Sequence, residues 1–399
     1  MINQQAVDKA SEDAAQLLLR IGVAVAFVAT PFFQLLSPRV IFILPPIGGA
    51  LILAAGLVLA PRLNMRDVFA FLLSRVGLTA SFLGFWMLLS LLWTPFPSEA
   101  APRLIKAMLT VLCVLPVAAA LPPRTRAANL YFLPLGAALT ALGALVLSAR
   151  MFAGDEPGGD EDLVIGVEAA LLLLWPALAA THLRNRATLS ASLAIIVLAA
   201  AVSAPAPGAL AATACAALAF VFALWDSRLT GRWLGNFGAA CFVFAPLVPL
   251  LFGPLIGPDA PPSLLSVKAW GAMIVSDGVR IVTGHGFNFV NSGYPRGYLP
   301  PSAPHSMLFH VWTDLGLIGA LAIAALVYLA FQSAAAQPPR QAPFWIGALT
   351  YVFAMGAFGI AAAQAWWITA LALALGAFAL VSRGDYKTAR PTAPKWSPQ

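Results

Sequence analysis

The sequence predicts an all-α integral membrane protein of about twelve transmembrane helices, with one long outer loop that carries a short amphipathic helix. Three observations lead there. Hydrophobic residues make up 60% of the 399 and charged residues only 10%, where a soluble domain carries about 25% charged residues; the mean hydropathy is +0.85. Apolar segments near the ~20 residues that a bilayer span needs recur along the whole chain. Lysine and arginine collect in one alternate set of the connections between those segments. The runs are long and lack the dyad alternation of a membrane β-strand, which excludes a β-barrel. Residues 1–399 read as a single polytopic domain, with no internal repeat, low-complexity tract or soluble domain boundary.

The apolar segments fall roughly at 16–36, 40–60, 76–93, 104–121, 127–148, 163–183, 187–203, 208–225, 235–254, 306–331, 342–362 and 364–382. With a cytoplasmic N-terminus, the outer side receives Arg39, Arg103, Lys106, Arg150, Lys268, Arg280 and Arg296, only seven of the 23 basic residues. The rest face the cytoplasm, so the positive-inside rule puts both termini there. They include a basic tail over 383–399 with Arg383, Lys387, Arg390 and Lys395. The acidic run Asp155, Glu156, Asp160, Glu161 and Asp162 falls outside, in agreement. The net charge of +7 thus follows membrane topology and implies no nucleic acid. Asp8, Glu12 and Asp13 surround Lys9 at the start, so no cleaved signal peptide is expected. Cys113, Cys215 and Cys241 lie in apolar stretches and read as small packing residues. No metal-ligand spacing occurs, and neither a metal nor another cofactor is expected.

Most outer connections are short, but residues 255–305 make one long loop. Within it, Leu264, Leu265, Val267, Trp270 and Ile274 fit one apolar face of a short helix lying on the membrane. Gly284-His285-Gly286 breaks that helix, and Tyr294 to Pro304 is a Pro/Gly-rich connector. Long loops with patterned content are usually functional. At its end stands His305-Ser306, then nine residues, then Gly316-Leu317-Ile318-Gly319. A helix starting near Ser306 puts 305, 309, 312, 316 and 319 on one stripe, with glycines that admit a neighbouring backbone.

The outer face gathers His305, His285, His310, Lys268, Arg280, Arg296, Arg103, Glu168, Asp277 and Asp314. Cations beside a histidine suit a diphosphate leaving group and a hydroxyl nucleophile: Lys and Arg neutralise phosphate charge, Arg bidentately, and histidine takes the acceptor proton. Each residue also has a plainer reading. His305 could cap the helix; His310 and Asp314, one turn apart, could pair with each other; Arg103 and Arg296 could meet lipid headgroups. Glu168 lies one or two turns inside its helix near the outer face, and His285 between two glycines could be loop geometry. Tyr351 and Trp366-Trp367 read as packing or interfacial aromatics.

His305-Ser306-x9-Gly316-x-x-Gly319 resembles the signature of the bacterial O-antigen ligase and polymerase superfamily. The stretch from Trp270 to Thr283-Gly284-His285-Gly286-Phe287 resembles the segment ahead of that motif. Leu92-Trp93-Thr94-Pro95 with Ser98 and the final Trp366-Trp367 helix agree as well, so the resemblance covers roughly residues 80 to 380. It implies a metal-independent GT-C type glycosyltransferase of the bacterial inner membrane, acting at its outer leaflet. The donor would be an undecaprenyl-diphosphate-linked glycan. The acceptor would be lipid A-core in a ligase, or another lipid-linked glycan in an O-antigen or exopolysaccharide polymerase. By position, His305 takes the catalytic histidine's role. Two positions depart from the pattern. Ala206-Pro207-Gly208-Ala209 stands where the family has Ser-Arg-Gly-Ala, and Lys268 stands where an arginine precedes the tryptophan.

The sequence thus points to His305 as catalytic residue and to Lys268, Arg280 and Arg103 as diphosphate-binding groups. Arg296, His285, His310, Asp314 and Glu168 are accessory candidates. Two other classes stay open. A secondary transporter would place polar sites at the bilayer midplane on broken helices. A non-catalytic lipid-handling protein would not need His305.

Overall fold

The computed structural model describes residues 4–59, 69–70, 72–122, 125–154, 160–358 and 364–384, and no strand occurs among them. The longer helices are α1 (Gln4–Ala24), α2 (Leu44–Leu59), α3 (Arg75–Ser90), α4 (Pro97–Ala120), α5 (Phe132–Phe152), α6 (Asp160–Leu183) and α7 (Ala187–Ser203). They continue with α8 (Pro207–Trp225), α9 (Ser227–Phe244), α10 (Pro262–Asp277), α11 (Met307–Ala335), α12 (Ala342–Phe358) and α13 (Ala365–Gly384). Each of the apolar segments read from the sequence contains a helix. Among the described residues, 8 helical stretches are long and apolar enough to cross a membrane. There are 9 if α9 and the piece that follows it, bent by 53°, form one span. Three apolar helices, α3, α7 and α12, are shorter.

Large apolar side chains cover the outside: Phe152 is 82% exposed and Trp225 79%. Surfaces of that kind belong against lipid, since water-soluble proteins do not expose contiguous apolar area on this scale. The chain is therefore an all-helical, multi-pass membrane protein. Cys113 and Cys215 lie on this exposed surface rather than in the core, contrary to expectation; thiols are tolerated in lipid as small apolar groups. The basic stretch after Gly384, together with Arg62, Arg66, Arg124, Asp155 and Glu156, lies outside the described residues.

The core is built around α6. Between its acidic first turn and the last turn, which carries His182, it is apolar save for Glu168, and 89% of its spanning window is buried, as a helix without a polar face should be. It packs against α5, α7, α12 and α13. Tyr351 of α12 is fully buried there, and its hydroxyl donates to the Glu168 carbonyl at 3.0 Å.

A second centre lies where the long loop meets α11. This helix is interrupted at Gly316, whose φ of 65° and ψ of −161° are non-helical. The carbonyls just ahead of the break lose their helical donors, and three outside groups replace them. Thr313 O accepts from His285 N–H at 2.8 Å, and Asp314 O accepts from Gly286 N–H at 2.9 Å. Leu315 O accepts from the Trp86 indole N–H at 3.0 Å. The loop 284–286 is thus seated in the break. A Cβ on Gly316 would lie 2.4 Å from the Val282 carbonyl oxygen, and one on Gly284 would lie 2.3 Å from that of Asp314.

Two expectations are corrected here. The stripe through 305, 309, 312, 316 and 319 does not run on, because the break at Gly316 resets the register; a Cβ on Gly319 would meet Leu315 of its own helix. The apolar face of α10 is turned inward at Trp270, while Leu264 stays 47% exposed. Trp270 is 8% exposed and meets the Phe309 ring edge-on at 5.6 Å, within a cluster of Ala245, Phe289 and Leu299. Gly271 of the same helix packs on the Pro249 backbone. Aromatic partners inside the loop outcompete the lipid surface for that face.

The interruption yields a prediction. Gly316→Ala forces a side chain into a region that only glycine visits, and into backbone, so it should cost at least about 2 kcal/mol. Gly257→Ala, where nothing lies within 4 Å of the new Cβ, should change stability by less than about 0.5 kcal/mol. Thermal denaturation of the purified protein in one detergent compares them. Equal stability of both variants would mean that the break carries no conformational demand.

Candidate functional site

The site assembles at the N-terminal mouth of α11. Ser306 is the helix cap: its hydroxyl accepts from Phe309 N–H at 3.3 Å. His305 therefore lies just outside the helix and has no capping role. It is exposed, with its ring stacked on Tyr294 at 4.6 Å between centroids and 21° between planes. Tyr294 is itself fixed, its hydroxyl donating to the carbonyls of Ala303 at 2.7 Å and Pro304 at 2.9 Å. Burial pushes the Tyr294 phenol up to about 12, so it stays a donor at neutral pH. A protonated tyrosine holds the connector and leaves His305 exposed.

His310 and Asp314 do not pair with each other, which overturns the expected helix-internal contact. Asp314 is buried and turns both oxygens to the loop. Oδ1 accepts from Val290 N–H at 2.8 Å and Oδ2 from Asn288 N–H at 3.1 Å. It caps the short helix Phe289–Gly293, whose preceding residue Asn288 has a left-handed φ of 68°, a conformation asparagine accepts more readily than most residues. His310 Nε2 is buried without a hydrogen-bond partner among the described residues. The charge of Arg103 acts on it.

Arg103 enters from α4. Its guanidinium donates to Asn288 Oδ1 at 3.0 Å, and Asn288 Nδ2 donates to Ser292 Oγ at 2.8 Å. Ser292 Oγ then donates to Glu99 Oε2 at 2.7 Å. Glu99 also holds Arg296, which donates to the Ser292 carbonyl at 2.7 Å and lies over the Phe96 ring at 4.9 Å. The Glu99–Arg296 pair is largely exposed and screened, so its role is to aim the two side chains. The chain Arg103–Asn288–Ser292–Glu99–Arg296 ties one end of α4 to the loop seated in α11.

The remaining candidates lie apart from this network. His285 Nδ1 donates to the Thr313 carbonyl at 3.2 Å, which leaves Nε2 toward Asp277 Oδ1 at a long 3.5 Å. Its ring stacks on Phe289 at 4.5 Å. Burial favours the neutral form of both partners, lowering the imidazole and raising the carboxyl, against their mutual attraction. His285 is thus committed to the joint on both ring nitrogens. Arg280 is exposed on the short helix Arg280–Thr283 and acts on this pair. The Lys268 ammonium donates to the Ile256 carbonyl at 2.8 Å within the loop. Glu168 sits in the α6 core region beside Tyr351 rather than at the mouth. Among the described residues no three His, Cys, Asp or Glu side chains converge as metal ligands.

Sequence reasoning missed Glu99, Asn288, Ser292, Tyr294 and Trp86. Their only local signal was position: Glu99 follows the Thr94-Pro95 turn, and Asn288 follows the Gly284-His285-Gly286 break.

The His285 joint makes stability depend on pH. Its folded imidazole resists protonation, so as pH falls below about 6.5 the unfolded chain takes up the proton first and stability declines. Asp277, raised in the fold, has the opposite sign and acts from about 3.9 upward. The melting temperature should drop between pH 7 and pH 5.5, and His285→Gln should flatten that drop. An unchanged slope in the variant would remove His285 as its source.

No protein-family model, curated protein or solved structure matches the chain, so its function rests on the site itself.

Proposed function

We propose that the protein is a membrane glycosyltransferase of the O-antigen ligase and polymerase type. It would move a glycan from undecaprenyl diphosphate to lipid A-core, or to another glycan acceptor, at the outer leaflet of the bacterial inner membrane. One observation carries the reading: an exposed histidine outside the helix cap stands at the mouth of α11, at the same helix end as His310, in a frame built by the long loop and Arg103. The stretches that carry the resemblance also meet physically. Thr94 Oγ1 donates to the Phe287 carbonyl at 3.3 Å, Ser90 Oγ accepts from Phe287 N–H at 3.0 Å, and Gly284–Gly286 sits in the break ahead of Gly319.

In this reading the membrane carries twelve spans: the eight long ones, the bent α9 pair, and α3, α7 and α12. The termini are cytoplasmic and the 255–305 loop is periplasmic. An open apolar groove of about 440 Å³ lies between α3 and α11, lined by Phe82, Ile318 and Leu321 among others. It offers the polyprenyl chain a path just below the break. The diphosphate meets Arg103, with Lys268 and Arg280 as approach charges on the loop. His305 removes the proton of the acceptor hydroxyl. The oxygen attacks the anomeric carbon, a C–O bond forms, and the bond to the diphosphate oxygen breaks with its electron pair. Cations at the developing negative charge are the main stabilising effect. Single displacement inverts the anomeric centre.

The broken α11 is the feature that favours a transporter. Against it, the freed carbonyls of 313–315 and both Asp314 oxygens already hold loop and indole N–H groups. A transporter would keep such groups for its ion or substrate.

His305→Asn should insert at normal abundance and lose transfer from purified lipid-linked glycan by about 10²- to 10⁴-fold, because asparagine takes no proton. Full activity in that variant would end the catalytic assignment. Topology has its own check in a cysteine-free background. An impermeant thiol reagent applied to intact cells should label Ser302→Cys in the exposed connector and leave Ser397→Cys untouched. The reverse pattern would put the site on the wrong side of the membrane.

A further inference from the structure

The unexplained group at the mouth is His310. Its Nε2 is buried with no hydrogen-bond partner among the described residues, although buried polar atoms nearly always have one. The neighbour that the sequence offered, Asp314, is fully engaged by the Asn288 and Val290 amides. The residue sits in the first turn of α11, its own N–H donating to the Ser306 carbonyl at 3.1 Å, so its backbone is fixed by the helix that follows the exposed His305. Beside it lie the ring of Phe309 at 6.3 Å and the field of Arg103, which is held in place by Asn288. A ligand atom that reaches Nε2 would meet an imidazole N–H within range of the Arg103 charge. A second cation is repelled there, and a neutral hydroxyl gains nothing from the charge. An anionic oxygen is attracted by both, and charge-assisted bonds of this kind are the stronger ones.

We propose that His310 Nε2 donates a hydrogen bond to a phosphate oxygen seated beside Arg103, making His310 a ligand-contacting residue of the site. The inference rests on the functional reading above for the origin of that phosphate, the diphosphate of a lipid carrier. The same chemistry could come from the phosphate of a bulk phospholipid headgroup. His305 and His310 then divide the work. The exposed ring handles the acceptor's proton, and the buried one holds the leaving group's oxygen.

The test uses the full-length protein in nanodiscs, with undecaprenyl diphosphate and inorganic pyrophosphate as probes and binding followed by calorimetry. One set of discs is purely phosphatidylcholine, and the other contains phosphatidylglycerol. Loss of one hydrogen bond to a charged group predicts that His310→Phe binds undecaprenyl diphosphate about 10- to 100-fold more weakly. His310→Gln, whose amide restores a donor, should recover part of that affinity. His305→Asn should bind within about twofold of the wild type. Wild-type affinity in His310→Phe would overturn the proposal, and so would equal losses in the Phe and Gln variants at unchanged melting temperature. If affinity depends on His310 only in phosphatidylcholine discs, and phosphatidylglycerol competes the probe away, the phosphate belongs to a bulk headgroup and the carrier assignment falls. Diphosphate binding that needs His310 in a protein without glycan transfer would keep this contact and remove the functional reading. Transfer that needs His305, with binding indifferent to His310, would do the reverse.

Discussion

Everything at the outer end of this molecule depends on the break in α11. A helix interrupted in an apolar environment leaves carbonyls with no water to satisfy them, at several kcal/mol each. The chain resolves this by bringing in donors from far away in sequence: two backbone amides of the loop and the indole of Trp86. The loop is therefore no flexible appendage. Removing it from the break would expose Thr313 and Asp314 carbonyls to lipid, and the opposite is equally costly for the loop's own amides. That mutual need makes the mouth of α11 and residues 284–290 one unit.

From this joint the geometry spreads outward in steps. Asp314 uses its carboxylate to hold the Asn288 and Val290 amides. That fixes Asn288 in its left-handed turn and points Oδ1 at Arg103. The other end of the Asn288 amide reaches Ser292, and Ser292 reaches Glu99. A buried acid on one helix thus sets where a cation on another helix stands. The arginine also feels the charge of that acid. Such second-layer positioning is how a site on loops gains the precision of one on rigid elements.

The architecture was largely legible because composition and helical period act on long windows. Every apolar segment became a helix, and the weight of residues 255–305 and 305–319 was visible in their histidines and glycines. What escaped were relations between distant segments. Gly316 reads as a small residue on a helical stripe, and only the approach of Val282–Gly284 shows that it ends one. The i,i+4 spacing of His310 and Asp314 suggested a pair, but the carboxylate prefers two backbone amides that cannot be satisfied otherwise. Trp270 looked like a membrane anchor because periodicity reports an apolar face without naming its partner. Glu99 carried no local motif at all; its importance comes from Ser292, 193 residues later.

The mouth orders its chemistry by depth. His305 stands outside the helix cap, stacked on a tyrosine that stays protonated, and reaches water. Arg103 and His310 are less exposed than His305, and away from water each charge acts more strongly. Under the proposed transfer, a hydroxyl acceptor from the aqueous phase would meet the exposed histidine, and the tail of a lipid-borne anion would lie in the apolar groove between α3 and α11. A reaction between a water-borne hydroxyl and a membrane-held diphosphate would call for that separation, and it is the arrangement of exposed ring, buried ring and groove, more than any single residue, on which the proposal rests.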